Sequence, residues 1–63
     1  MKKLIINEVE VGTVNTYYQD RQYGGWVFEM KSKRIIGIKF ADIEMFKPDF
    51  KGNLTVTTFQ KKP

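Results

Sequence analysis

Apolar and polar residues alternate with a period of two along most of this chain, the spacing that sends successive side chains to opposite faces of an extended strand. Trp26, Phe28 and Met30 alternate with Val27, Glu29 and Lys31, and Ile36, Ile38 and Phe40 alternate with Ile35, Gly37 and Lys39. Both runs predict strands. The turn between them, Lys31-Ser32-Lys33, sets their register, because residues opposite one another in an antiparallel pair share a face. A three-residue loop places Met30 opposite Arg34, Phe28 opposite Ile36 and Trp26 opposite Ile38, which keeps the bulky residues on one side. A two-residue turn would set Phe28 against Gly37 and Trp26 against Lys39, so the longer loop is expected.

The run from Val9 to Tyr18 changes phase. Val9 and Val11 lie on one parity, Val14, Thr16 and Tyr18 on the other, and Gly12 stands at the switch. A β-bulge there would bend the strand, and Gly37 is a candidate for a second bend. Tyr18 and Trp26 are accordingly expected on the inner face. Leu54, Val56 and Thr58, alternating with Thr55, Thr57 and Phe59, make a Thr-rich last strand. The segment from Ala41 to Phe46 reads either as extended or as one helical turn near residues 42–46, capped by Asp42, with Ile43 and Phe46 inward and Pro48 as its stop. It is too short to stand as a helix alone. The chain is thus expected to be a single all-β or nearly all-β domain over residues 1–63, a small antiparallel barrel or strongly bent sheet of about five strands.

This pattern resembles the SH3-like and Sm-like small barrels. In Sm-like proteins a bent, glycine-bearing strand leads into two more strands and a short closing strand, and Gly12 to Tyr18, Trp26 to Met30, Ile35 to Phe40 and Ile43 to Phe46 take those places. The resemblance covers most of the chain and is one of pattern. No nucleotide-pocket motif matches residue by residue, so it carries over no functional residues. An OB-like barrel is the alternative architecture.

With 63 residues and neither cysteine nor histidine, the chain has no disulfide or His-based zinc site to hold it. A domain of this size buries only roughly 60% of its unfolded surface. Stability must come from aromatic and β-branched packing or from self-association. The same composition argues against catalysis: there is no histidine to act as base, and Glu8 and Glu10 read as a solvated strand face rather than paired acids. Ser32 has no activating partner in its lysine-flanked turn. Asp42, Glu44 and Asp49 do not have calcium-loop spacing, and Gly24-Gly25 lacks the lysine and following helix of a phosphate loop. No enzyme activity, cofactor or metal is expected.

Binding is the remaining class. Lys and Arg outnumber Asp and Glu by 11 to 7, for a net charge of +4, which favours a polyanionic partner. Three separate basic groups carry the excess: Lys2 and Lys3; Lys31, Lys33 and Arg34; and Lys61 and Lys62. Only the fold can bring them together. The stretch from Tyr17 to Trp26 adds four aromatics and Arg21 around Gly24-Gly25. Stacking aromatics with Lys or Arg on the phosphates are what single-stranded nucleic acid needs. Tyr17, Arg21, Tyr23, Lys31, Lys33, Arg34 and Lys39 are therefore the expected nucleic-acid contacts.

The alternative is a protein-interaction or self-assembly module that uses an exposed strand edge and the aromatic loop. The run from Asn53 to Phe59 has no charge in its interior and is poorly defended if it lies at an edge. The apolar part of Met1-Lys2-Lys3-Leu4-Ile5-Ile6 is too short for an export signal or a membrane span, so a soluble cytoplasmic protein with no membrane partner is expected.

Overall fold

A three-residue loop does set the central hairpin. In the computed structural model, which describes residues 2–59, Trp26 pairs with Ile38 and Phe28 with Ile36. The Met30 amide donates to the Arg34 carbonyl at 2.8 Å. Lys33 closes the loop with φ of 70°, the left-handed residue that such loops require.

The elements run β1 (Lys2–Ile6), β2 (Val9–Asp20), β3 (Gly25–Met30), β4 (Ile35–Lys39), a 3-10 turn (Phe40–Asp42), β5 (Ile43–Pro48) and β6 (Leu54–Thr58). They form one six-stranded sheet in the order β4-β3-β2-β1-β6-β5. The domain is nearly all-β, as expected, with three differences. Among the described residues there are six strands against the expected count of about five, because Lys2–Ile6 pairs with β2 through a tight turn at Asn7 and Glu8, whose φ values are 50° and 70°. The sheet is mixed rather than antiparallel, since β1 and β6 run parallel. Its two outer strands, β4 and β5, do not pair with each other, so the sheet is not a closed barrel.

β2 is the spine. Its first half pairs with β1 and its second half with β3, and Val14 belongs to both ladders, opposite Lys2 and Met30. The register slips by one residue at Val11, beside the glycine where the phase change was expected, and again at Asn15. Gly12 faces the core, where a methyl group would come within 3.1 Å of the Met30 terminal carbon. The second slip puts Val14 and Tyr17, three apart, on the same side. Tyr18 therefore turns outward and is 42% exposed, which corrects its expected place in the core. A third slip falls between Ile43 and Met45. It gives Ile43 and Phe46 one inward face by extended geometry: the helical turn ends at Asp42, residues 43–46 are strand, and Pro48 ends an outer strand instead of stopping a helix.

Leu4, Val14, Phe28, Met30, Leu54 and Val56 form the buried core, with Tyr17, Trp26, Ile36, Ile38, Ile43 and Phe46 packed against it. Phe46 shows how far the sheet curls. Three strands separate β5 from β3 in sheet order, yet the Phe46 ring stands edge-on to Trp26, with centroids 4.6 Å apart. It also meets Phe28 at 5.9 Å and Tyr17 at 6.1 Å. β6 is paired on both sides, so the Asn53 to Phe59 run does not lie at an edge.

Gly25 joins the aromatic turn to β3 and is buried. A Cβ there would collide with the Ile38 carbonyl of the neighbouring strand, and backbone cannot step aside as a side chain can. Gly25→Ala is expected to cost about 3 kcal/mol, a large share of the roughly 3–9 kcal/mol such a chain has available. Chemical denaturation of the two proteins checks this.

Candidate functional site

The expected contact residues fall into two groups at opposite ends of β3. Lys31, Lys33 and Arg34 are exposed on the β3–β4 turn, and Arg21 and Tyr23 lie on the β2–β3 turn. Lys39 pairs with Gly25 and belongs with the second group. At about 3.3 Å per residue, the length of β3 puts roughly 17 Å between the two. Tyr17 belongs to neither. Its ring is half-buried between Trp26 and Phe28, at 5.7 and 6.1 Å, with the Lys2 ammonium 5.1 Å from its centroid.

The turn after β2 is tightly held rather than a loose aromatic loop. One carboxylate oxygen of Asp20 accepts hydrogen bonds from the amides of Gln22 and Tyr23, at 2.9 and 3.1 Å, and the Gly24 amide donates to the Asp20 carbonyl at 2.8 Å. Gly24 has φ of 81°, so a left-handed residue completes the turn. The Tyr23 ring then lies against Gly37, where a Cβ would come within 2.7 Å of it. Gly37 thus makes room for a ring rather than bending its strand. The Lys39 ammonium caps the arrangement 4.2 Å from the ring centroid and donates to the Tyr23 carbonyl at 2.6 Å. Beside these residues is a shallow, open depression lined by Tyr23, Ile38, Lys39, Asp42, Thr58 and Phe59.

Tyr18, Val27 and Gly37 form one row across the outer face of β2, β3 and β4. Val27 is buried there apart from the main core. Partial desolvation and then the neighbouring Glu29 carboxylate, which favours the protonated phenol, raise the pKa of Tyr18 above its ordinary 10.0; Asp20 adds to the shift.

The other end of the molecule carries most of the positive charge. Lys2 is level with Val14 and Met30, and Lys3 pairs with Thr13, whose carbonyl accepts the Lys31 amide at 2.9 Å. The sheet thereby brings two of the three basic groups together, while Lys61 and Lys62 lie outside the described residues. The β5–β6 turn joins them, because Leu54 stands opposite both Leu4 and Pro48. It contributes Lys51, with Lys47 one step behind, and places Phe50 at its tip. These three residues were not among the expected contacts. Their signal is a lone aromatic inside the turn-forming run Asp49-Phe50-Lys51-Gly52-Asn53.

Few acids offset this charge. Glu10 lies 3.6 Å from Lys3 in an exposed ion pair, and Asp49 is engaged by the amides of its own turn. Glu8 lies in the tight turn after β1 and does not share a strand face with Glu10. Among the described residues no three His, Cys, Asp or Glu side chains converge, and no helix is long and apolar enough to cross a membrane. No protein-family model matches this chain, and no curated protein or solved structure matches it.

The Tyr18 proton is held partly by the Glu29 charge, so Glu29→Gln should bring its titration midpoint down toward 10.0. An NMR titration of the Tyr18 ring carbons measures this. A midpoint unmoved by the substitution would show that the carboxylate does not face the phenol.

Proposed function

We propose that this domain is a non-catalytic nucleic-acid-binding module whose main contact surface is the basic end of the sheet. The observation that carries the reading is the segregation of charge. Lys2 and Lys3 from β1, Lys31, Lys33 and Arg34 from the β3–β4 turn, and Lys47 and Lys51 around the β5–β6 turn meet at one end, all exposed. Like charges so placed repel one another, a cost that the phosphates of a polyanion would offset. Arg21, Tyr23 and Lys39 form a second, smaller contact group at the opposite end of β3, roughly 17 Å away. Tyr17 acts from beneath, as packing for the surface that carries Lys2.

The architecture fits this role as a variant of the SH3-like and Sm-like rolls. A bent β2 shared by two ladders and a 3-10 turn after β4 support that reading, with the gap between β4 and β5 and the parallel β1–β6 pair as departures from it.

One observation favours a second reading, self-association. The outer strand β4, Ile35-Ile36-Gly37-Ile38-Lys39, has a single charge, already engaged by Tyr23, and Ile35 is 70% exposed. An apolar edge of this kind can accept a strand from another chain.

Salt separates the two. Affinity for a mixed-sequence single-stranded oligonucleotide should fall linearly on a log–log plot against salt, and the double substitution Lys33→Gln/Arg34→Gln should flatten that slope by roughly 1.4, at about 0.7 per phosphate contact. Arg21→Gln should have the smaller effect. Absence of binding at low salt, together with a stable dimer by light scattering, would favour the β4 edge instead.

A further inference from the structure

Phe50 is 99% exposed, more than any other large hydrophobic side chain described. A single apolar side chain in water is ordinary. What distinguishes this one is the support beneath it. The carboxylate of Asp49 accepts the amides of Lys51 and Asn53 at 2.8 and 3.0 Å, the Asp49 amide donates to the Asn53 carbonyl at 2.9 Å, and the Gly52 amide donates to the Asp49 carbonyl at 3.1 Å. Gly52 adopts φ of 91°, and Pro48 enters the turn from the sheet with its own φ restricted. Five residues are thus ordered by four hydrogen bonds around a ring that stands in solvent.

Such order matters for binding because a side chain displayed on a fixed tip loses less freedom when a partner arrives. The surroundings define the partner. Lys51 follows the ring, Lys47 precedes it, and the register brings the start of β1, with Lys2 and Lys3, to the same end. A flat apolar ring among cations suits a ligand that alternates apolar planes with negative charge.

We propose that Phe50 is a stacking finger for an unpaired base of single-stranded nucleic acid, with the surrounding lysines on the adjoining phosphates. This rests on the nucleic-acid reading above and assigns that surface its base contact. An anionic membrane offers the same charge, but anchoring there draws on a broad apolar face, whereas one ring suffices for one base. Single-stranded rather than duplex nucleic acid follows from the same point, since a base buried in a duplex stack has no free face to offer.

The test compares full-length wild type with Phe50→Ala and Phe50→Tyr on a short single-stranded oligonucleotide and on an abasic strand of equal length and charge. Phe50→Ala should weaken binding to the base-bearing strand by about 5- to 150-fold, the range of base–aromatic stacking, and leave the salt slope and the abasic affinity unchanged. Phe50→Tyr should restore most of the loss. Equal affinity of Phe50→Ala and wild type for the base-bearing strand would overturn the stacking role while leaving the nucleic-acid reading standing. So would an equal loss on the abasic strand. Failure of the wild type to bind either strand at low salt would overturn both, and Phe50-dependent binding to phosphatidylserine vesicles in its place would identify the membrane as the partner.

Discussion

The ring of Phe46 against the indole of Trp26 is the contact on which this molecule's shape depends. Backbone pairing alone would give a twisted ribbon six strands wide, with one apolar face open to water. The Phe46 contact brings an outer strand across three others onto β3, and Tyr17 and Phe28 meet the same ring from β2 and β3. A chain with neither disulfide nor His-based metal site needs such a closure, because its buried core is only a handful of aliphatic side chains around Phe28. Aromatic rings suit the task, since each covers a large area and gains further from edge-to-face geometry.

Curling of the sheet in turn depends on irregularity in its strands. β2 serves two ladders that leave it in opposite directions from Val14, and the slips at Val11 and Asn15 on either side of that residue let it bend. The slip at Glu44 does the same for β5, turning Phe46 toward the interior. Gly12, Gly25 and Gly37 then admit close neighbours: the end of Met30, the Ile38 carbonyl and the Tyr23 ring. Bend, close approach and aromatic closure form one device.

What could be read from the sequence follows from the same features. Strands β3 and β4 alternate without interruption, so a parity argument was enough to find their loop length and register. The first slip was legible because a glycine marks it. The slips at Asn15 and Glu44 carry no glycine, and each gives inward residues a spacing of three: Val14 with Tyr17, Ile43 with Phe46. In the first case an unbroken alternation reverses the roles of Tyr17 and Tyr18; in the second, three apart imitates a helical turn. β1 was hidden because its apolar part is only Leu4-Ile5-Ile6, and its parallel partner lies about fifty residues away along the chain. The candidate surface was legible by residue type but not by place. Lysines near residues 2, 31 and 51 become neighbours only through pairings that no local pattern encodes, whereas Arg21 and Lys31, ten apart in sequence, end on opposite turns.

The separation of labour across the molecule follows from this geometry: aromatic closure within, cations gathered at one end, and an ordered turn that holds a ring in water. All of it requires the sheet to curl. The most direct test is a two-dimensional NOE spectrum of the protein in solution. Cross-peaks between the Phe46 ring and the Trp26 indole are expected, because their centroids lie 4.6 Å apart. If Phe46 shows its pairing with Val56 across β5 and β6 but no contact with Trp26, the strands form without the closure and the account is wrong.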